Sequence, residues 1–133
     1  MISLDLCLDF EQTPRIVLAP YFECLEFVLL QAVGLFQSLG KEVSVIKDIA
    51  GMVLTRTIAM LVNEASLFVQ EEVADAAGVN LAMRKGVNYP VGPLEWGEQW
   101  GWNSVVEILD NLRQLNPERY QTSEWLRQKT KSI

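Results

Sequence analysis

The sequence predicts a mainly α-helical protein, a helical bundle preceded by a short β-α-β section. Apolar and polar residues alternate in "ISLDLCLDF" and "KEVSVIKD", which is typical of half-buried strands. From Ile49 onward, apolar residues instead recur at steps of three and four, the spacing of amphipathic helices. The chain has 133 residues, half of them hydrophobic, and this is enough for one hydrophobic core.

The first section, residues 1 to 48, is predicted to contain a strand, a crossover helix and another strand. "RIVLAP", ended by Pro20, is a further strand candidate, and "YFECLEFVLLQAVGLFQSLG" predicts a buried helix that ends near Gly40. In the following strand we expect Val43, Val45 and Ile46 to point inward. Two or three strands are too few for a self-contained α/β domain, so this section resembles the remnant or edge of a larger sheet.

The second section, residues 49 to 133, is predicted to be entirely helical. Its longest helix lies within residues 50 to 73 and presents one wide apolar stripe. The stripe consists of Ile58, Leu61, Val62, Ala65, Val69 and Val73. Met52, Leu54 and Phe68 add apolar surface beside it, so we expect this helix to be covered on more than one side.

Polar residues and glycines mark the shorter helices that follow. Asp75 is suited to cap a helix that runs to Lys85 and ends at Gly86. Asn103 is the expected N-cap of a helix with an inner face of Val105, Ile108, Leu109 and Leu112. Thr122 or Ser123 is expected to start the last helix, which carries Trp125 and Leu126.

The stretch "GVNYPVGPLEW", residues 86 to 96, predicts a stiff corner between two helices. Pro90 and Pro93 fix the backbone φ angle and remove two hydrogen-bond donors, and Gly92 permits a close approach or a positive φ. Pro93 also suits the first turn of the helix that carries Glu95 and Trp96. The simplest interpretation is a rigid interhelical turn.

Composition and charge exclude several classes of partner. The formal charge is −6 with a pI near 4.6, which argues against a nucleic-acid binder. Cys7 and Cys24 are too few for a disulfide framework or a zinc site, and two buried reduced cysteines suit a cytoplasmic protein. The N-terminus lacks the pattern of a secretory signal, and the apolar run from Phe27 to Phe36 is too short to cross a membrane.

The residue types present also exclude familiar catalytic chemistry. The chain has no histidine, so it has no imidazole base, and it has no glycine-rich phosphate loop. The carboxylates Glu71, Glu72 and Asp75 can serve as an acid/base pair or a cation site, but a solvated helix end is the simpler interpretation. Glu64 lies between buried helix positions and is either a group with a raised pKa or a paired structural residue. We therefore predict no catalytic residue and no metal ligand.

Three spaced motifs carry a resemblance to a known family. "SLGKEVSVIKDIAGMVLTRTIAMLVNEA", "AMRKGVNYPVGPLEWGEQWGWNSVVEILDNL" and "PERYQTSEWL" occur in this order. Together they resemble the C-terminal domain of 3-hydroxyacyl-CoA dehydrogenases over roughly residues 36 to 127. The fold class implied is a helical bundle of that C-terminal type, preceded by the last strand-helix-strand of a Rossmann-like domain.

The resemblance implies roles for particular residues. The family's Asn-Arg pair, whose Asn approaches the substrate, corresponds to Thr55 and Arg56, and these two are the predicted substrate-binding residues. A threonine hydroxyl still donates and accepts but lacks the amide fork. The corner belongs to the family's dimer interface and acyl-CoA cleft wall, which makes Tyr89, Pro90, Gly92, Pro93 and Trp96 the predicted interface residues.

The family's catalytic His-Glu pair and NAD-binding glycines belong to an N-terminal domain whose signature is not found in this sequence. We therefore expect this chain to bind no cofactor, while the resemblance implies NAD for a full-length parent that oxidises 3-hydroxyacyl-CoA. The second helical copy found in long family members shows a similar departure, and this chain is a candidate for such a copy.

Three hypotheses remain open. The first is an interaction module that forms a homodimer and pairs with a missing NAD-binding domain. The second is a stand-alone acyl-CoA-binding protein with a groove near Thr55, Arg56 and Tyr89. The third is an enzyme with unrecognised chemistry. Homodimerisation also fits the exposed edges expected of the short strands and the large apolar surfaces of four tryptophans, Trp96, Trp100, Trp102 and Trp125. At least two of these tryptophans are expected to pack in the core instead.

Overall fold

The computed structural model describes residues 1 to 131, which form a three-stranded sheet and six helices. The strands are β1 (Ile2–Leu4), β2 (Arg15–Pro20) and β3 (Glu42–Val45). The helices are α1 (Glu26–Ser38), α2 (Leu54–Gln70), α3 (Ala76–Gly86), α4 (Pro93–Trp100), α5 (Trp102–Leu115) and α6 (Glu124–Lys131). The chain divides into two compact units, Met1–Thr55 and a second unit that begins at Arg56. The mainly helical fold class with a short N-terminal sheet is confirmed.

The first unit is built on the sheet, in the order β1-β2-β3. β1 pairs antiparallel with β2, and β3 pairs parallel with β2 in a register that sets Ile16 beside Val43 and Leu18 beside Val45. Ile16 and Leu18 are buried, so the central strand supplies the core of this unit. Pro20 ends β2 as predicted, whereas β1 ends at Leu4, well short of the nine-residue alternating stretch.

Helix α1 crosses from β2 to β3, and Gly40 terminates it as predicted, one residue after the C-cap Leu39. Gly40 has a φ of 76°, its N–H donates to the Gln37 carbonyl, and the Lys41 N–H donates to the Phe36 carbonyl. These two bonds define a Schellman motif, in which a left-handed glycine satisfies the last helical carbonyls.

The prediction that α1 is buried is wrong. None of its residues is buried, and Phe27, Leu30 and Leu35 expose 58%, 62% and 58% of their surface. The inward orientation predicted for Val45 is also wrong, since this residue is 48% exposed. Both errors have one physical origin. A three-stranded sheet is too narrow to cover a helix that is apolar on all sides.

The second unit is a helical bundle with two adjoining apolar clusters. One contains Ala59, Val62, Val105, Leu109 and Leu126, and the other contains Ala65, Val79 and Leu94. The predicted inner face of α5 is confirmed, with Ile108 partly buried beside the fully buried members. Val73 lies outside α2 and is exposed, and Phe68 is 42% exposed, so the outer side of α2 is less covered than expected.

Most helix ends lie where the sequence indicates. Asp75 caps α3 by accepting a hydrogen bond from the Gly78 N–H at 2.7 Å, and Gly86 is the last residue of α3. Ser123 precedes α6, and its hydroxyl accepts from the Leu126 N–H at 3.2 Å. The Asn103 cap is wrong, because α5 begins at Trp102 after Gly101, whose φ of 93° favours glycine.

Candidate functional site: the α2 N-terminus and the Tyr89–Trp96 corner

The carboxylate of Asp5, a residue near the N-terminus of the chain, caps the start of α2. Asp5 is 3% exposed and lies immediately after β1. Its Oδ2 accepts from the N–H groups of Val53 and Leu54 at 2.9 and 2.7 Å. Its Oδ1 accepts from the N–H and the hydroxyl of Thr55 at 2.9 and 2.7 Å, and from the Leu6 N–H at 2.8 Å. All four contacts to residues 53 to 55 come from a residue 48 or more positions earlier.

Electrostatics keep this carboxylate ionised. Burial by itself raises the pKa of Asp5, but hydrogen bonds from Thr55, Leu54 and Leu6 outweigh it, so the pKa is lowered. The first N–H groups of a helix have no partner within the helix and carry the positive end of its dipole. Asp5 thus satisfies the donors that an anionic ligand group otherwise meets at such a helix end.

The predicted substrate residues Thr55 and Arg56 are consecutive in the first turn of α2, and both are half-buried. A threonine hydroxyl has one proton to donate, and Thr55 gives that proton to Asp5. Only the oxygen lone pairs of Thr55 remain for another group. The substrate-binding role of both residues stays a prediction.

The Tyr89–Pro93 corner is organised around Asn80, a buried residue of α3. The Asn80 Oδ1 accepts from the Leu94 N–H at 2.9 Å, at the start of α4. A Cβ on Gly92 would lie only 2.4 Å from that same oxygen, so this position requires glycine. Gly92 has a φ of −68°, which any residue can adopt. Glycine is therefore needed here because of the close approach of Asn80, and the alternative of a positive φ does not apply.

Glu95 completes the corner from the first turn of α4. Its Oε2 accepts from the Gly92 N–H at 2.9 Å and lies 3.3 Å from Arg84 Nη1. Pro93 is the first residue of α4, as predicted, where its missing N–H costs nothing. The corner is thus a preorganised turn in which the N–H groups of Gly92 and Leu94 donate to fixed side chains.

The five predicted interface residues differ in what they offer to a partner. Gly92 and Pro93 are buried by the second unit itself, whereas Pro90 is exposed. Tyr89 and Trp96 are half-buried, and their ring centroids lie 5.6 Å apart. A partner at this corner would therefore contact Pro90 and the outer edges of the two rings, and the interface role remains a prediction.

The other three tryptophans pack in the second unit. Trp100, Trp102 and Trp125 contact its apolar clusters, and Trp102 meets Trp125 edge to face with centroids 5.6 Å apart. Gly97 makes room for this arrangement, because a Cβ there would lie 2.4 Å from the Trp102 ring and 2.7 Å from Val62. These rings have a structural role in this unit.

Asn63 is a structural residue that sequence reasoning did not single out. It is 4% exposed in α2, its amide donates to the Gln121 carbonyl at 2.9 Å, and its Oδ1 accepts from the Ser123 N–H at 2.9 Å. The hydroxyls of Ser66 and Ser123 lie 2.6 Å apart beside it. The sequence feature that could have predicted this role is the position of Asn63 on the apolar face of α2, because a buried polar group needs fixed hydrogen-bond partners.

The acidic candidates do not form a site. Glu64, predicted to lie among buried positions, is exposed, and so are Glu71, Glu72 and Asp75. Among residues 1 to 131, no three histidine, cysteine or carboxylate side chains are grouped so that they could hold a metal ion. Cys7 and Cys24 are free thiols, but they are half-buried where the sequence predicted burial.

The connection from β2 to α1 does not fit a dinucleotide. In that position a pyrophosphate needs close backbone approach and unopposed N–H groups at the helix start. Here the connection contains no glycine, and Glu23 and Glu26 place two carboxylates at the start of α1. These charges repel a phosphate group.

None of the helices in the described part of the chain is long and apolar enough to span a membrane. An apolar groove of about 320 Å³ does lie between α2 and α3, and it is lined by Phe68, Val73, Ala74, Val79 and Met83 among others. It belongs to the second unit alone.

Comparison with known proteins identifies both sections of the chain. Residues 51–132 match the 3-hydroxyacyl-CoA dehydrogenase, C-terminal domain family. Residues 1–49 match the 3-hydroxybutyryl-CoA dehydrogenase reduced Rossmann-fold domain. The resemblance stated from the motifs is confirmed.

Individual relatives agree with this assignment. The 3-hydroxyadipyl-CoA dehydrogenase of Escherichia coli (strain K12) is 44% identical over 100 residues, which are 74% of this chain and 21% of that protein. The crystal structure of 3-hydroxybutyryl-CoA dehydrogenase from Escherichia coli K12 superposes with a TM-score of 0.87 at 36% identity, covering 96% of this chain and 26% of the other. FadB2 of M. tuberculosis shares the fold, with a TM-score of 0.89 at 20% identity over 98% of this chain and 47% of that one. The chain thus spans between a fifth and a half of the length of these three proteins.

Proposed function

The chain belongs to the 3-hydroxyacyl-CoA dehydrogenase C-terminal domain family, and from this premise we propose that it is a non-catalytic dimerisation and substrate-wall module. In this proposal a full-length parent oxidises 3-hydroxyacyl-CoA to 3-oxoacyl-CoA with NAD, and a separate domain carries the base and the cofactor. The present chain contributes helical surface for pairing and one wall of the acyl-CoA cleft.

The contact between Asp5 and Thr55 carries the proposal. Thr55 stands where the family resemblance implies a substrate-contacting Asn. Its hydroxyl proton goes to Asp5, and the same carboxylate takes the N–H groups of residues 53 to 55. A substrate carbonyl or phosphate oxygen therefore meets no free donor from these groups, and a buried anion beside them repels it.

The acidic start of α1 supports the same proposal. Glu23 and Glu26 place two carboxylates at the start of this helix, where they would repel a pyrophosphate. Hydride transfer needs a bound cofactor and a base near the substrate, and neither is supplied by these residues. The chemistry is assigned to the parent's other domain.

Calorimetric titration of the purified chain with acetoacetyl-CoA, together with NADH consumption in the presence of that substrate, tests the proposal. We expect no turnover and no binding tighter than about 1 mM, which corresponds to roughly 4 kcal/mol of binding free energy. Thr55→Val, which keeps the side-chain shape and removes the hydroxyl, is the matched variant. Micromolar binding that Thr55→Val weakens would show that the Thr55 hydroxyl still binds substrate and would refute the argument that Asp5 has taken the donors of the α2 start.

A second candidate function, an acyl-group carrier, is favoured by the groove between α2 and α3. Its lining is almost wholly apolar, and its volume of about 320 Å³ suits a medium acyl chain. If this candidate is correct, octanoyl-CoA binds more tightly than acetoacetyl-CoA, and Met83→Glu abolishes the difference. Ala77→Glu on the exposed part of α3 is the control and leaves binding unchanged.

A further inference from the structure

Helix α1 carries two apolar stripes on opposite sides, and one of them lacks a covering element in residues 1 to 131. Residues at steps of three and four lie on one helix face, so Leu29, Ala32, Val33 and Phe36 form one stripe. These four are half-buried, and α1 lies next to β3. The second stripe, Phe27, Leu30, Gln31, Gly34 and Leu35, is exposed throughout and is called the α1 outer face.

The α1 outer face is a large exposed apolar surface. Its members Phe27, Leu30 and Leu35 expose 58%, 62% and 58% of their surface, which is roughly 350 Å² together if a large apolar side chain presents about 200 Å² when fully free. One partner in a standard interface contributes about 800 Å², so these three side chains account for a little under half of one partner's share. No charged residue occurs from Phe27 to Ser38, so little desolvation of charge opposes association.

We infer that the α1 outer face pairs with the same face of a second copy of this chain, antiparallel about a two-fold axis near Gln31. Apolar residues of the α1 outer face are placed symmetrically before and after Gln31. Phe27 lies four residues before Gln31 and Leu35 four residues after it, so an antiparallel pair sets Phe27 of one copy against Leu35 of the other. A two-fold interface requires this kind of self-matching.

Gln31 and Gly34 favour a second copy over an apolar partner of another kind. A glutamine amide buried against purely apolar groups leaves its donor and acceptor unsatisfied, whereas two Gln31 amides at a two-fold satisfy each other. A Cβ added to Gly34 would meet no atom within 4 Å, which leaves room for a neighbouring helix to approach closely. The opposed dipoles of antiparallel helices add a small favourable contribution.

Light scattering on a sizing column, with a dilution series, tests the pairing. We expect wild type to be at least a dimer and Leu30→Glu to weaken the α1 association by about 100-fold or more, because the two-fold places the charge in the interface twice. Leu30 is 62% exposed, so the substitution leaves the unit folded, which circular dichroism checks. Leu115→Glu, at a site 69% exposed on α5, is the control and leaves the association unchanged.

Disulfide trapping tests the antiparallel register in a background with Cys7 and Cys24 replaced by serine. Gln31→Cys should form an intermolecular disulfide, because the two copies of residue 31 meet. Ser38→Cys lies on the same side of the helix, but its two copies are separated by about 21 Å in an antiparallel pair at 1.5 Å per residue, and it should stay reduced. Equal trapping of both variants indicates parallel helices and overturns the register.

The Tyr89–Pro93 corner, which is the interface implied by the proposed function, is tested separately with Pro90→Glu. If this variant is monomeric and Leu30→Glu is not, the corner pairs the chain and the α1 inference is overturned while the proposed function stands. If only Leu30→Glu is monomeric, the α1 inference stands and the corner interface fails. A wild-type monomer overturns the α1 inference, and a tetramer reduced to a dimer by either variant supports both surfaces.

Discussion

Replacing Asp5 with asparagine should lower the stability of the first unit by about 3 kcal/mol. In its best orientation, asparagine keeps a carbonyl oxygen at the Oδ1 position, with its three contacts to Leu6 and Thr55. Its NH₂ group then faces the N–H groups of Val53 and Leu54 and leaves both unsatisfied, which costs about 1 to 3 kcal/mol each when buried. Loss of the anion at a helix N-terminus adds about 0.3 to 1 kcal/mol.

Two optical probes separate this loss from changes in the rest of the chain. All four tryptophans lie between residues 96 and 125, so tryptophan fluorescence reports on the second unit, whereas far-ultraviolet circular dichroism reports on both. In urea, Asp5→Asn should shift the circular-dichroism transition of the first unit to lower denaturant. Asp48→Asn, at an exposed position, is the control. Unfolding curves of the two variants that superimpose would refute the capping argument.

Acid sensitivity gives an independent check on the same residue. The folded-state pKa of Asp5 lies below its unfolded value, so its contribution is fully present above the unfolded pKa and is lost as the pH falls through the folded one. Wild type should therefore lose stability of the first unit below about pH 4, near the usual range for aspartate. The Asp5→Asn variant should have a lower free energy of unfolding at neutral pH, and this free energy should depend less on pH in the acid range.

Three further changes test the second unit by urea unfolding followed by tryptophan fluorescence. Gly92→Ala should destabilise it by about 2 kcal/mol, because the new Cβ overlaps a buried amide oxygen, while Gly86→Ala meets no atom within 4 Å and should be nearly neutral. Asn63→Leu should cost about 2 to 4 kcal/mol by leaving two backbone groups unsatisfied, and a loss under about 0.5 kcal/mol would contradict its anchoring role. Asp110→Asn should cost about 1 kcal/mol or less, since its bonds to Arg127 are partly solvent-exposed. Those bonds lower the pKa of Asp110, so their contribution should fade on acidification through that pKa in wild type and be absent from the variant.

Local features of the fold were predictable because local chemistry determines them. Asp75, Pro93 and Gly40 act on backbone groups within four residues of themselves, and each lies at the helix end that its residue type indicates. For Gly92 the sequence left two alternatives open, a close approach or a positive φ, and the position of Asn80 shows that the close approach is correct.

Features that depend on distant segments were not predictable. The Asp5 cap joins residues 48 to 50 positions apart, and an aspartate within an alternating strand pattern gives no hint of its partner. The exposure of α1 was missed for a related reason. An apolar helix face has the same sequence pattern whether the chain itself or another molecule covers it.

The bond between Asp5 and Thr55 also has an evolutionary consequence. A change at Asp5 alone leaves the Thr55 hydroxyl without its acceptor, and a change at Thr55 to a residue without a donor removes one of the five hydrogen bonds to the Asp5 carboxylate. The two positions are therefore energetically coupled. A hydrogen bond that stabilises one helix end in this way also restricts which residues position 55 accepts, because the cost of a replacement there depends on the residue at position 5.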